Sequence, residues 1–126
     1  MEKAKIKSFT NLNAWREAHV LVLWVYKITR QFPKEEIFVL VSQMRRCVVS
    51  VSSNIAEGFS RKTKKEKDQF YHTSLGSITE LQNQLLISRD LHYLSKEEFA
   101  KIAEQTVKVS KLVNGLIKSS QDHINT

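Results

Sequence analysis

Apolar residues recur along this chain at alternating three- and four-residue steps, the spacing that gathers side chains on one side of an α-helix. The clearest case lies between Ile37 and Arg61. At about 100° per residue, Ile37, Leu40, Met44, Val48, Val51 and Ile55 fall within roughly one 100° sector. Gln43, Arg46, Ser50, Asn54, Glu57 and Arg61 fall within a second sector about 80° wide, centred some 140° away. The pattern predicts a helix with an apolar stripe for its own core and an ordered polar ladder aimed elsewhere. Within it, Cys47 to Ser53 is rich in β-branched residues and alternates like a strand. The helical period runs unbroken on both sides of that segment, which decides for helix.

Three further helices follow from the same reading. A first is predicted from about Leu12 to Gln31, with Asn11 or Asn13 available as N-cap. Leu12, Trp15, His19, Val22, Tyr26 and Thr29 mark its seam, and Val20 to Tyr26 is apolar on almost every side. A helix of that kind is normally buried on more than one face, and in so small a bundle a subunit interface would supply the extra cover. Phe32-Pro33 breaks it, because proline cannot continue the hydrogen-bond ladder. The second helix is expected from Glu35, whose charge and that of Glu36 suit a helix N-terminus, to Gly58, a natural stop. Thr63 to Glu66 matches a capping box and opens a third helix, Lys64 to Leu91, with Phe70, Ser74, Ile78, Leu81, Leu85 and Ser88 inward. Ser95 to Glu98 is a second such box, opening a fourth helix, Lys96 to Ser120, whose seam is Phe99, Ile102, Thr106, Val109, Val113, Leu116 and Ser120. Joints this short make neighbours antiparallel. The fold class expected is all-α, an up-down-up-down antiparallel four-helix bundle in a single domain covering residues 1–126. Fraying is expected at Met1 to Ser8 and beyond Ser120.

Composition sharpens this picture only in places. A chain of 126 residues can hold one core, and three Gly with one Pro suit long regular elements. The longest apolar run is far short of the ~20 residues that span a bilayer, and the N-terminus has no stretch of signal-peptide length. The single Cys47 excludes an intramolecular disulfide and suits a reducing compartment. The expectation is a soluble, cytoplasmic protein without a membrane partner. Cys47 sits among Val48, Val49 and Val51 and reads as a packed thiol rather than a nucleophile. A net charge of +7 and a pI near 9.6 favour an anionic partner.

Catalysis finds little support, and no catalytic residue, cofactor, metal site or small-molecule substrate is expected. His19, His72, His92 and His123 show no paired ligand spacing, and neither a Gly-rich phosphate loop nor an inward Glu-x-x-His pair occurs. Helical ribonucleases that pair Arg with His after four to six residues are not matched, since Arg16–His19 and Arg89–His92 are too closely spaced. The basic cluster is more informative. Arg61, Lys62, Lys64, Lys65 and Lys67 stand together, with Lys64 and Lys65 in the first turn of a helix, where a cation opposes the dipole by about 0.3–1 kcal/mol. A bound phosphate would turn that cost into an anion site; the plain alternative is a solvated joint. Arg45 and Arg46 lie four turns earlier, roughly 20 Å away, and are weaker candidates. For the polar ladder, one reading is a solvated face. The other is a semi-buried network of Gln43, Arg46, Asn54 and Glu57 with Ser77 and Glu80 of the third helix or another subunit, with Gly76 permitting close approach.

The motifs also carry a resemblance. Phe9-Thr10-Asn11-Leu12, Trp15, Ala18, Tyr26, Phe32-Pro33 and Glu36 lead into Gln43-Met44-Arg45-Arg46, then Ser50, Ser53-Asn54-Ile55-Ala56-Glu57-Gly58, Arg61, Gly76-Ser77 and Glu80-Leu81. In that order they resemble the four-helix-bundle proteins encoded within intervening sequences of bacterial large-subunit ribosomal RNA genes, over about Phe9 to Ile117. Ser52 departs from the family's proline and Ser74 from its alanine. The resemblance implies a ring-like homopentamer without known enzymatic activity. It also implies kinship in architecture with the accessory protein of diversity-generating retroelements, which works with a reverse transcriptase and nucleic acid.

Together these readings lead to a non-catalytic homo-oligomer that binds nucleic acid, RNA favoured, through phosphates at Arg61, Lys62, Lys64 and Lys65, with Arg45 and Arg46 secondary. The competing expectations are a protein-interaction scaffold without nucleic acid and a cryptic ribonuclease.

Overall fold

In the computed structural model four helices carry the fold: α1 (Asn13–Thr29), α2 (Ser42–Ser60), α3 (Lys64–Asp90) and α4 (Lys96–Asn125). The backbone is described for residues 8–125 and the side chains for residues 8–119. The expected fraying of Met1 to Lys7 lies outside the described residues, as do the side chains of Ser120 and His123, while the backbone of α4 continues to Asn125, past its expected end at Ser120. Each helix packs on two others, in the order α1–α2–α3–α4 and back to α1, with the α2–α3 pair the most extensive. All four pairs are antiparallel. Glu17 meets Gln105 while Gln31 meets Glu98, so α1 and α4 run in opposite directions. Met44 lies beside Ser88 and Gly58 beside Tyr71, which sets α2 against α3. Gln82 contacts Thr106 and Arg89 covers Phe99, giving the α3–α4 pair. Arg45 reaches the last turn of α1, while the 3-10 turn Phe9–Asn11 at the other end of α1 also packs on α2.

The core is built from small and branched apolar side chains on the inner faces, among them Leu21, Val25, Met44, Val48, Val51, Ile55, Ile78, Leu81, Leu85, Ile102, Val109 and Val113, all essentially inaccessible to water. Burial of each is worth about 1.5–3 kcal/mol before conformational entropy is set against it. The expected seams of α2, α3 and α4 supply most of these positions. That of α1 is rotated by one step: Ala14, Ala18, Leu21, Val25 and Thr29 face inward, while His19 and Tyr26 are exposed. Two alanines let the α1 backbone approach its neighbours, and the bulky Trp15 and Trp24 lie at the edges. Neither Asn11 nor Asn13 caps α1. Leu12 holds the N-cap position without a side-chain bond, and Ser8 instead caps the preceding 3-10 turn.

The start of the second helix differs most from expectation. After Pro33 come a 3-10 turn (Lys34–Glu36) and one π turn (Ile37–Val41), and only then regular α-helix from Ser42. A π turn bonds i to i+5 and so advances less per residue, which puts Ile37 out of phase with Met44 and Val48. Leu40 and Val41 stay buried, whereas Ile37 is 47%, Phe38 91% and Val39 54% exposed.

Gly58 does not end α2, which continues to Ser60. Its role is steric: an added Cβ would lie 2.5 Å from Tyr71 Cε1. Tyr71, not the expected Phe70, is the buried aromatic of α3. At the end of α3, His92 takes a left-handed conformation (φ 61°), with Tyr93 N–H donating to Ser88 O and His92 N–H to Arg89 O, a Schellman turn with histidine in the place glycine favours. The Ser95–Glu98 box is complete in both directions, at 3.1 and 3.0 Å, and Gln31 also donates to Glu98. At Thr63–Glu66 only the threonine hydroxyl accepts, from Glu66 N–H. The bundle therefore has two different ends, the α2–α3 joint with its lysines and the opposite end with the exposed apex Ile37–Val39.

Candidate nucleic-acid interface

At the α2–α3 joint the chain turns through Arg61, in extended backbone, and a bend at Lys62 before Thr63 caps α3. Arg61 is held from two sides: its guanidinium donates to Glu57 at 3.1 Å, one turn earlier, and lies 4.6 Å over the Phe70 ring. Lys64 is ion-paired with Asp68 along the first turns of α3. Lys67 reaches back to the open end of α2, donating to Phe59 O at 2.8 Å, and burial pushes its ammonium below the usual lysine range. That bond satisfies a carbonyl that helix geometry leaves without a partner. Lys62 and Lys65 are exposed and, among the described residues, make no ion pair or hydrogen bond. Their charge is thus available to a ligand, beside backbone N–H groups at the start of α3 that carry the positive end of its dipole.

Arg45 and Arg46 stand at the other end of α2, about four turns from Arg61. Arg45 donates to Thr29 Oγ1 at 3.0 Å and to Tyr26 O at 3.3 Å, and stacks over the Tyr26 ring. It clamps the end of α1. Arg46 is exposed and has no partner among the described residues. The six sequence candidates therefore divide into a group of four at one joint and two arginines far from it.

The polar ladder of α2 also divides. Its middle forms a half-buried seam with α3: Ser50 Oγ lies 2.9 Å from Ser77 Oγ, and Asn54 donates to Ser50 O at 2.8 Å. Cys47 donates to Ser77 O, and Ser74 to Val51 O. Gln43 and Arg46 are exposed, Glu57 pairs with Arg61 alone, and Glu80 accepts from Gln84. Within one chain no ion pair joins Arg46 to Glu57 or Glu80. Within the chain nothing approaches Gly76 closely, since an added Cβ there would meet nothing within 4 Å.

Burial and then the nearby Glu80 carboxylate push the Cys47 thiol up to about 12, so almost no thiolate exists near neutral pH. His19 stacks on Trp15 at 4.8 Å. Among the described residues no group of three or more His, Cys, Asp or Glu is arranged to hold a metal ion, and no helix is long and apolar enough to cross a membrane. An apolar-floored depression lies elsewhere, between α1 and α4: a cavity of about 270 Å³ lined by Trp24, Lys27, Ile28, Glu98, Lys101 and Ile102. Sequence reasoning passed over this groove, the clamping role of Lys67 and the apex at Phe38. Only the last left a trace, five consecutive apolar residues from Ile37 to Val41 that one helical face cannot bury together.

A profile of the 23S rRNA-intervening sequence proteins matches residues 10–115. Among solved structures, a protein of unknown function from the S23 ribosomal protein family of Bacteroides thetaiotaomicron superposes with a TM-score of 0.77 at 18% identity, covering 83% of this chain and 95% of that one. At that identity the likeness concerns the fold. No curated protein matches the chain.

Proposed function

Because the chain belongs to the 23S rRNA-intervening sequence protein family, we propose that it is a non-catalytic, homo-oligomeric bundle that binds structured RNA in the cytoplasm through phosphate contacts at the α2–α3 joint. The observation that carries this reading is the pair Lys62 and Lys65, left exposed and unpaired after Arg61 and Lys64 are engaged by Glu57 and Asp68. Arg61 and Lys64 contribute by exchanging those surface partners for phosphate, since such pairs are worth only ~0–1 kcal/mol. The net charge of +7 and the family's link to ribosomal RNA intervening sequences point the same way. In a ring of five, each joint is repeated around the axis, and weak contacts combine multivalently.

Binding of a labelled RNA hairpin, followed by anisotropy over a range of salt, tests the proposal. Affinity falls steeply with salt and depends little on sequence, and Lys62→Glu with Lys65→Glu weakens it at least tenfold. For every phosphate that the variant no longer neutralises, the log–log salt slope becomes shallower by about 0.7–0.9. Unchanged affinity in that double variant refutes the role of the joint. The exposed apex Ile37–Val39 favours a second reading, a protein-interaction scaffold, and absence of RNA binding even at low salt would decide for it.

A further inference from the structure

We infer that the apex Ile37–Phe38–Val39 of one copy seats in the α1–α4 groove of the next copy, so that identical chains join head to tail. This deepens the oligomer reading above and rests on it. The apex is an interruption of the fold with a consequence: the π turn that keeps Leu40 and Val41 in the core thrusts Phe38 outward, 91% exposed. Single exposed apolar residues need no explanation, but three in succession on a protruding turn are a contact surface in search of cover. The groove offers that cover on the same chain. Its floor is Trp24, Ile28 and Ile102, with the Lys101 ammonium 4.4 Å over the Trp24 ring, and its volume of about 270 Å³ admits an aromatic ring.

Charge selects the α1–α4 face, where this groove shares Trp24 and Lys101 with a second depression that also carries Glu104, Lys108 and Lys111, over the groove between α3 and α4. Exposed Glu35 and partly covered Glu36, which accepts from the Tyr93 hydroxyl, immediately precede the apex. Lys27 and Lys101 stand in the groove lining, whose one carboxylate, Glu98, already accepts from Ser95 N–H and Gln31. The groove between α3 and α4, of about 260 Å³, is lined by Gln82, Leu86, Phe99, Val107 and their neighbours without any lysine or arginine. Because apex and groove are different patches, the contact is heterologous, and repetition of it closes a ring when the rotation between copies allows. Docking uses the end of the bundle opposite Lys62 and Lys65, so the basic joints stay open to solvent.

Sedimentation velocity at matched concentrations tests this with three samples. The wild type is expected to sediment as an oligomer. Phe38→Glu, which lacks the apex, and Lys27→Glu/Lys101→Glu, which lacks the groove's charge, are expected to sediment as monomers with unchanged far-ultraviolet circular dichroism. An equimolar mixture of the two variants retains one good apex and one good groove, and is expected to stop at a one-to-one complex. A mixture that stays monomeric overturns the head-to-tail contact. If wild type and Phe38→Glu are the same oligomer, the inference falls while the oligomer reading survives; a monomeric wild type overturns both, leaving RNA binding to the anisotropy titration. A photoreactive benzoylphenylalanine at position 38 gives an independent readout: adducts on the peptides carrying Trp24 to Gln31 or Glu98 to Ile102 support the contact. Adducts confined to α3, or between two position-38 side chains, refute it.

Discussion

Replacing Gly58 by alanine sets two effects of opposite sign against each other. Alanine is favoured over glycine inside a helix by about 0.8–1 kcal/mol, somewhat less so near the end of α2. Against this, the new Cβ lies 2.5 Å from Tyr71 Cε1 and 2.8 Å from Cδ1, closer than real carbon contacts allow. The ring cannot swing aside into water, because Tyr71 is only 3% exposed. Overpacking of this kind costs about 1–3 kcal/mol. The expected net is a loss of about 0.5–2 kcal/mol, or a fall of roughly 2–8 °C in Tm for a chain of this size. Gly76→Ala is the matched control, since no atom lies within 4 Å of its added Cβ. There the propensity gain is unopposed, and stability should rise by up to about 1 kcal/mol. Urea and thermal unfolding followed by circular dichroism, at one fixed protein concentration because assembly adds to apparent stability, compare the two. If Gly58→Ala proves as stable as the wild type, the steric account of this glycine is wrong.

Three further outcomes are expected. Hydrogen bonds from Ser95 N–H first, then from Gln31, hold the Glu98 carboxyl below its usual range. A folded pKa below the unfolded one gives stability that is present above the unfolded value and is lost as pH falls through the folded one. Glu98→Gln should therefore cost about 1 kcal/mol at pH 7, with the gap to wild type closing below about pH 4 in urea titrations; a gap constant down to pH 3 contradicts this. Arg45→Met, which removes the clamp on Thr29 and Tyr26, should cost about 1–2 kcal/mol and leave RNA affinity within twofold. A tenfold loss of RNA affinity would return Arg45 to the binding surface. His92→Gly relieves a left-handed conformation and should raise stability by about 0.5–1 kcal/mol, measured by urea unfolding; a loss would mean that the histidine ring makes a contact outweighing the backbone strain.

The candidate site was legible in part. The cluster at the α2–α3 joint follows from adjacency in the chain, because Arg61 to Lys65 cannot be far apart whatever the fold. Which of its charges are free does not follow, since Glu57 and Asp68 reach Arg61 and Lys64 through i,i+4 geometry and rotamer choice. Arg45 and Arg46 look alike in sequence, yet one is spent on the end of α1 and the other stands in water. Only the packing of a second helix against α2 distinguishes them.

The sequence alone determined four helices, their approximate limits and three of the four inner stripes, because a 3.6-residue period together with capping residues and a lone proline is a local code. It could not determine phase where two local rules compete. The π turn at Ile37–Val41 puts Leu40 and Val41 into the core and leaves Phe38 in water, a compromise made by the packing of the joint. Nor could it say why Gly58 and Gly76 differ, since one faces a tyrosine across the bundle and the other faces open space. Both outcomes depend on which surfaces come within a few ångströms of each other. That is settled when helices dock, and short-range preferences along the chain do not encode it.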